Sequence, residues 1–328
     1  MASAQLTGTT SEATPDWLST PGASHGRGSG HGHGSGRGSG YGYGPGRASR
    51  ARDWAEIQER MLVPLYRAVH ERLEVGPATS LLGLGCRSGL ALLLAAERGA
   101  QVAGTEADPE LRELAGERGL TVRPDHGPAT AADTRTAAPV ARSAYSLVTV
   151  FEQLWTTRAP GPLVEAAAER VLTGGQLVLA AWGPAERCES ASVLAVGQRG
   201  HQDRQGHQER QGHQERRGHH GRHGSALRGP DVRPGPFALS APGGLESLLF
   251  RAGLRPAGGG RVSCPFAYPD LESAVRGMLS TGLFDAAVAE SGQTLVAKEL
   301  EEALHPFVRA DASVRMTNQF RYVVGLRA

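Results

Sequence analysis

The residues best placed to do chemistry in this chain are Ser80-Leu81-Leu82-Gly83-Leu84-Gly85-Cys86-Arg87-Ser88-Gly89 and the acid Glu106. Apolar residues run into a Gly-x-x-x-Gly turn, and an alanine- and leucine-rich stretch follows at 90–96. This reads as a buried strand, a tight turn and a helix start. Glycines at 85 and 89 let the backbone take positive φ and let a ligand approach it closely. A helix start presents unpaired N–H groups, which suit a carboxylate or phosphate. Glu106 closes the next apolar run, about 20 residues on, where a carboxylate can accept from both hydroxyls of a ribose. The glycines alone would equally serve a turn with no ligand. The acid at that distance is what points to a nucleoside-type cofactor.

These residues need a parallel sheet to position them, and the flanking sequence supplies its parts. Apolar residues at helical spacing over 53–73 (Trp54, Ile57, Met61, Leu62, Leu65, Tyr66, Val69, Leu73) predict an amphipathic helix. Strands are predicted over 79–84, 101–105, 120–123, 145–151 and 176–181, with helices over 89–98, 109–118 and 162–172 between them. Asp108 is well placed to cap the second of these helices, and Gly99 to stop the first. Further on, helices are predicted over 242–252, 271–280 and 286–304, the last interrupted near Gly292, and strands over 257–263 and 319–326. Alternating strands and helices call for right-handed crossovers and a parallel sheet.

Two tracts stand apart. Residues 22–47 are rich in Gly, Ser, His, Arg and Tyr, and 197–224 hold a six-residue repeat beginning Gly200-His201-Gln202-Asp203-Arg204-Gln205. Neither can bury enough apolar surface to offset backbone ordering, so both are expected to be disordered. The chain divides as a tail over 1–51, a cofactor-binding core over 52–196, a repeat linker over 197–229, and a completion of the same domain with acceptor-side elements over 230–328. Nine of the 12 histidines lie in the tracts without a fixed carboxylate spacing, and no metal site is expected. His70, His126 and His305 lie outside them and read as structural or solvent-facing.

The formal charge of +2 is too small to imply a nucleic-acid or membrane partner. Among 35 basic residues only Lys298 is lysine, so the arginine content is partly a codon effect and is discounted as a sign of phosphate binding. Cys86, Cys188 and Cys264 are odd in number and far apart, which fits a reducing cytosol better than a disulfide framework. No secretory signal is visible, and the apolar stretch 90–96 is far short of the ~20 residues a bilayer span needs. A cytoplasmic protein is expected.

The run 81–89 resembles the first strand and turn of class I S-adenosylmethionine (SAM)-dependent methyltransferases, which read apolar-apolar-Asp-apolar-Gly-x-Gly-x-Gly. Val102-Ala103-Gly104-Thr105-Glu106-Ala107-Asp108-Pro109 resembles the second strand and its acid, and Tyr145-Ser146-Leu147-Val148-Thr149-Val150-Phe151 the fourth strand. The stretch 165–183 around Gly174-Gly175 is similar to the family's helix, Gly-Gly turn and fifth strand. Pro236-Phe237-Ala238-Leu239-Ser240, Tyr268-Pro269-Asp270-Leu271-Glu272 and Asn318-Gln319-Phe320-Arg321-Tyr322 resemble landmarks of a bacterial, small-molecule methyltransferase-like subgroup. The resemblance covers 52–196 and 230–328. It implies a Rossmann-like α/β fold: seven strands, mostly parallel, the last antiparallel, helices on both faces. It also implies SAM over the strand C-termini, touched by Gly85, Cys86, Arg87, Ser88, Gly89, Glu106, Ala107, Asp125 and Phe151.

The turn departs from the family at two positions: Gly83 stands for its acid and Arg87 for its middle glycine. An arginine at 87 can block the pocket, swing outward or pair with the SAM carboxylate. Two functions follow. One is SAM-dependent methyl transfer to a small-molecule acceptor, with catalytic residues unassigned because the sulfonium is already activated. The other is a catalytically degenerate protein of the same fold with a regulatory or scaffolding role. An NAD-type dehydrogenase fits less well, because its pattern lacks the Gly-Gly turn and the antiparallel last strand.

Overall fold

The computed structural model describes residues 47–124, 144–198 and 235–328. Asp125, His126 and the repeats lie outside the described residues. Helix α1 (Arg47–Asp53) passes through a π-helical turn (Trp54–Gln58) and a 3-10 turn (Glu59–Leu62) into α2 (Val63–Arg72). The first half then alternates as β1 (Ser80–Leu84), α3 (Leu90–Ala96), β2 (Gln101–Glu106), α4 (Pro109–Glu117) and β3 (Val122–Pro124). After residue 144 come β4 (Tyr145–Val150), α5 (Gln153–Thr156), α6 (Pro160–Glu169), β5 (Val171–Trp182) and α7 (Ala191–Leu194). Beyond residue 234 follow α8 (Gly244–Arg251), β6 (Arg255–Ser263), β7 (Phe266–Tyr268), α9 (Leu271–Ser280), α10 (Asp285–Ser291), α11 (Gln293–Leu304), β8 (Val314–Met316) and β9 (Gln319–Leu326).

Seven strands form one sheet in the order β3-β2-β1-β4-β5-β9-β6, with β7 and β8 paired apart from it. All neighbours among the first five are parallel, and β9 runs antiparallel to both β5 and β6. The mostly parallel Rossmann-like sheet with an antiparallel last strand is therefore the one formed. Alternate residues of β5 serve opposite faces, as the two-residue period of a strand requires. Val178, Ala180 and Trp182 join the core under α1–α3 and α9–α11. Leu177, Leu179 and Ala181 join the core under α6 and α8.

The helix expected over 53–73 keeps its apolar stripe but not its pitch. Pro64 has no N–H to reach the Arg60 carbonyl, and the Val63 N–H takes it instead, tightening that turn. The first helix starts at Arg47 and buries Ala51, so residues 47–51, assigned to the tail from sequence, are helical here. The Gly-Gly turn expected before the fifth strand lies within it. Tyr145 pairs with Val171 and Leu147 with Gln176, so 172–175 bulge against Ser146 alone. Gly175 is needed there, because a Cβ would meet the carbonyls of Leu172 and Ser146 at 2.9 and 3.0 Å. Asp108 caps α4 by accepting from Glu110 N–H at 2.9 Å. Gly292, at φ +82°, separates α10 from α11. No described helix is long and apolar enough to cross a membrane.

A candidate cofactor site at the strand ends

The parallel register places Leu84 of β1 beside Thr105 of β2 and Val150 of β4. Three chain segments, 85–89, 106–108 and 151–153, therefore leave the sheet side by side at its C-terminal edge. This is where open α/β sheets bind ligands.

The turn has left-handed backbone at Gly85 (φ +58°), Arg87 (+53°) and Gly89 (+84°). For Arg87 that conformation costs about 1 kcal/mol or more. Glu106 holds the turn in place: its carboxylate accepts from Arg87 N–H at 2.8 Å and from Asp108 N–H at 3.0 Å. A carboxylate has about four acceptor positions, so two remain open. Arg112 fixes the same loop by donating to the carbonyls of Glu106 and Ala107, both at 2.8 Å.

Of the readings open for Arg87, the side chain takes an inward one. Its guanidinium carbon lies 4.7 Å from the centroid of the Trp54 ring, and Nη2 donates to the Thr281 carbonyl at 2.7 Å. The helical segment bearing Trp54 is in turn fastened to the far side of the cleft. Arg276 donates to Asp53 at 3.1 Å, Tyr268 to Gln58 at 2.8 Å, and Arg50 pairs with Asp285 at 2.6 Å. Gln153 covers the other flank, for a Cβ on Gly85 would lie 2.6 Å from Gln153 Cβ. Position 83 has little room for the family's acid: a Cβ there would meet Leu92 Cδ2 at 3.1 Å and Cys86 Cβ at 3.2 Å.

Cys86 and Ser88 are buried beneath the turn. Burial pushes the Cys86 thiol up, so it remains a packed, neutral side chain. Ser88 Oγ donates to Glu59 at 2.7 Å, and Leu90 N–H reaches the same carboxylate at 3.1 Å. Arg118 completes this cluster, donating to Glu59 at 2.7 Å and to the Ser88 carbonyl at 2.8 Å. Phe151 buries its ring 5.3 Å from Tyr66. The next residue, Glu152, is 3 % exposed and accepts from the Tyr66 hydroxyl. Burial raises its pKa to about 7, with nearby Glu59 adding to the rise and the Tyr66 hydrogen bond and Arg87 opposing it.

The sequence reading thus named the turn and Glu106, which the structure brings together, and missed Glu59, Tyr66, Arg118 and Glu152. One signal was available. Glu59 stands three and seven residues before Leu62 and Tyr66, on the apolar stripe itself, where a charge needs a partner. Trp155 and Trp182 are core aromatics rather than cleft residues, clustered with Phe320 at 5.2 and 4.4 Å. His70 is buried too, both ring nitrogens without a hydrogen-bond partner, and burial lowers its pKa to about 4.

No family model matches the sequence, and no curated protein matches it. Solved structures match it at low identity. A putative sarcosine dimethylglycine methyltransferase from Galdieria sulphuraria is 10% identical, covering 86% of this chain and 98% of its own, with a TM-score of 0.47. A SAM-dependent methyltransferase from Aquifex aeolicus is 11% identical, covering 87% and 100%, with a TM-score of 0.44. The cyclase SpnF is 14% identical over 78% and 79%, with a TM-score of 0.41. Likeness at this level decides nothing about this chain, and even one shared fold hosts many chemistries.

Proposed function

We propose that this chain is a SAM-dependent methyltransferase acting on a small-molecule acceptor. One observation carries the reading: Glu106, at the end of β2, grips a turn with left-handed backbone at 85, 87 and 89 and keeps acceptor capacity to spare. A strained arginine within that turn conformation is tolerated only where surrounding contacts impose it. The cofactor, when bound, supplies a methyl group already activated on a sulfonium. The residues fit it in part. Glu106 would hold the ribose, Gly85 and Gly89 would admit the backbone approach, and Ala107 and Asp125 would border the nucleoside. Arg87 must withdraw from Trp54 and Thr281 for the far end to enter.

The chain's own work is then positioning and exclusion of water, since methyl transfer needs in-line approach more than a nucleophilic side chain. Trp54 and the segment from α1 to α2 would close over the cofactor. The near-neutral net charge gives no support to a nucleic-acid acceptor. Calorimetric titration of the full chain with SAM tests the reading. We expect saturable binding that Glu106→Gln weakens at least tenfold. No binding by the native chain, with binding restored by Arg87→Gly, would instead support the regulatory or scaffolding reading.

A further inference from the structure

The sheet ends differently on its two sides. β3, at one edge, is three residues long, whereas β6, at the other, runs for nine and is exposed along most of its length. β9 pairs with one side of β6, and no described strand pairs with the other.

The register shows which backbone groups are left over. One step beyond the Ser263–Gln319 pair, Cys264 N–H donates to the Asn318 carbonyl at 2.8 Å. Backbone groups alternate in direction along a strand, so Val262 and Gly260 also face β9. Gly259, Arg261 and Ser263 turn their N–H and C=O groups outward. The run 259–263 keeps an unbroken register with β9, and the one irregularity lies before it, between Pro256 and Gly259. The outward groups are therefore spaced to receive a further strand.

The side chains beside this edge are basic. Arg261 stands opposite Arg321, on the same face of the sheet as Val323, which packs under α8. Glu246 of α8 pairs with Arg321. Arg72 of α2 lies against Gly258, where a Cβ would be 2.8 Å from its Nη2. Arg72, Arg255 and Arg261 are exposed and have no carboxylate partner among the described residues. Along the α8 face runs a groove of about 450 Å³, lined by Glu246, Pro256, Gly259, Arg261, Arg321 and Val323. The edge offers main-chain hydrogen bonds and the groove offers side-chain selectivity, the two parts of recognition by strand addition.

We propose that the free edge of β6 is a docking site for an extended, acidic segment of another protein. Charge decides the occupant. A second copy paired edge to edge would bring the same arginines together, and basic side chains are a common guard against self-pairing. The repeat tract 197–224 holds more arginines than acids and fits no better. An incoming strand with an acid at alternate positions lays its main chain along 259–263 and its carboxylates over the α8 face beside Arg261. Docking there requires no cofactor, so it stands apart from the methyl-transfer reading.

The test uses a labelled peptide, long enough to span 259–263, in which glutamate alternates with valine. One control peptide carries lysine for glutamate, and another is N-methylated throughout. The full chain should bind the glutamate peptide saturably in fluorescence anisotropy and both controls about tenfold or more weakly. Amide exchange followed by NMR should slow at 259, 261 and 263 in that complex and stay as it was at 260 and 262, which already face β9. Arg261 is exposed, so Arg261→Glu is expected to fold; it should favour the lysine peptide and leave any SAM binding unchanged. Failure of the glutamate peptide to bind overturns the proposal. Binding that survives N-methylation, or leaves 259, 261 and 263 unprotected, overturns strand addition. Equal binding of the glutamate and lysine peptides overturns the acidic partner. A dimer in sedimentation that protects the same three amides without peptide gives the edge to a second copy, and overturns it too.

Discussion

The two sides of the sheet are built on different terms. Helices α6 and α8 bury Val164, Ala167, Ala168, Leu245, Leu248 and Leu249, all apolar. On the opposite side, the segment from the π turn to α2 buries Gln58, Glu59, Tyr66 and His70 among its apolar residues, and Asp53 lies buried just before it. Apolar burial stabilises a fold by about 25 cal/mol per Å² without regard to direction. Buried charge costs desolvation and repays it only through specific partners. Both sides carry an apolar core, and the second adds to it buried polar groups whose geometry stability alone does not require. That asymmetry locates the candidate site independently of the glycine motif.

The comparison breaks most visibly on removal of one large contact from each side. Leu249→Ala should cost about 3 kcal/mol in denaturant unfolding by leaving a cavity, with SAM affinity unchanged. Glu59→Ala should cost a similar amount, about 3–5 kcal/mol, because Arg118 and Ser88 lose their partner, and here ligand binding should weaken as well. Equal effects of the two substitutions on binding would erase the distinction between the sides.

Titration sharpens it next, through two groups on the polar side with opposite signs. Glu152 has a folded pKa of about 7, above the ordinary 4.5. Its contribution to stability is complete below pH 4.5 and is lost as pH rises to 7. His70 has a folded pKa of about 4, below the ordinary 6.5. Its contribution is complete above pH 6.5 and is lost as pH falls to 4. Each amounts to about 3 kcal/mol on linkage. Between pH 4.5 and 6.5 the two slopes oppose each other, so unfolding free energy should rise with pH over that range in Glu152→Gln and fall with pH in His70→Leu.

Arg87→Gly is expected to have a smaller effect on stability. Relief of the left-handed arginine offsets the lost contacts with Trp54 and Thr281 to within about 1 kcal/mol. Its effect on SAM should be larger, a gain of at least tenfold if the guanidinium blocks the cleft; a loss of affinity would identify it as a clamp on the cofactor carboxylate. Arg50→Ala marks the lower end of the scale. Its pair with Asp285 is open to solvent, with Arg50 half-buried and Asp285 exposed, so it should shift unfolding by less than about 1 kcal/mol.

Much of this architecture was readable in one dimension. Helix α9 and strand β9 occupy the residues that their periodicity indicates, and Asp108 caps α4 as its side-chain chemistry suggests. The three-residue strands β7 and β8 were not legible, because strands that short carry little pattern and their pairing joins residues far apart in the chain.

The sequence by itself determined the alternating fold, the turn 85–89 and the acid meant to face it, since each depends on local periodicity and on the backbone freedom of glycine. What Arg87 does was decided only in three dimensions. Its φ is set locally, but the Trp54 ring and the Thr281 carbonyl that receive its side chain come from segments 33 and 194 residues away along the chain. The buried acids follow the same rule. Glu106 is marked in the sequence by its distance from the turn and Glu59 by its place on an apolar stripe, but only packing gives Glu59 an arginine, Glu106 a pair of N–H groups and Glu152 a phenol. Desolvation and partner geometry, the terms that tell them apart, exist only once the chain has folded.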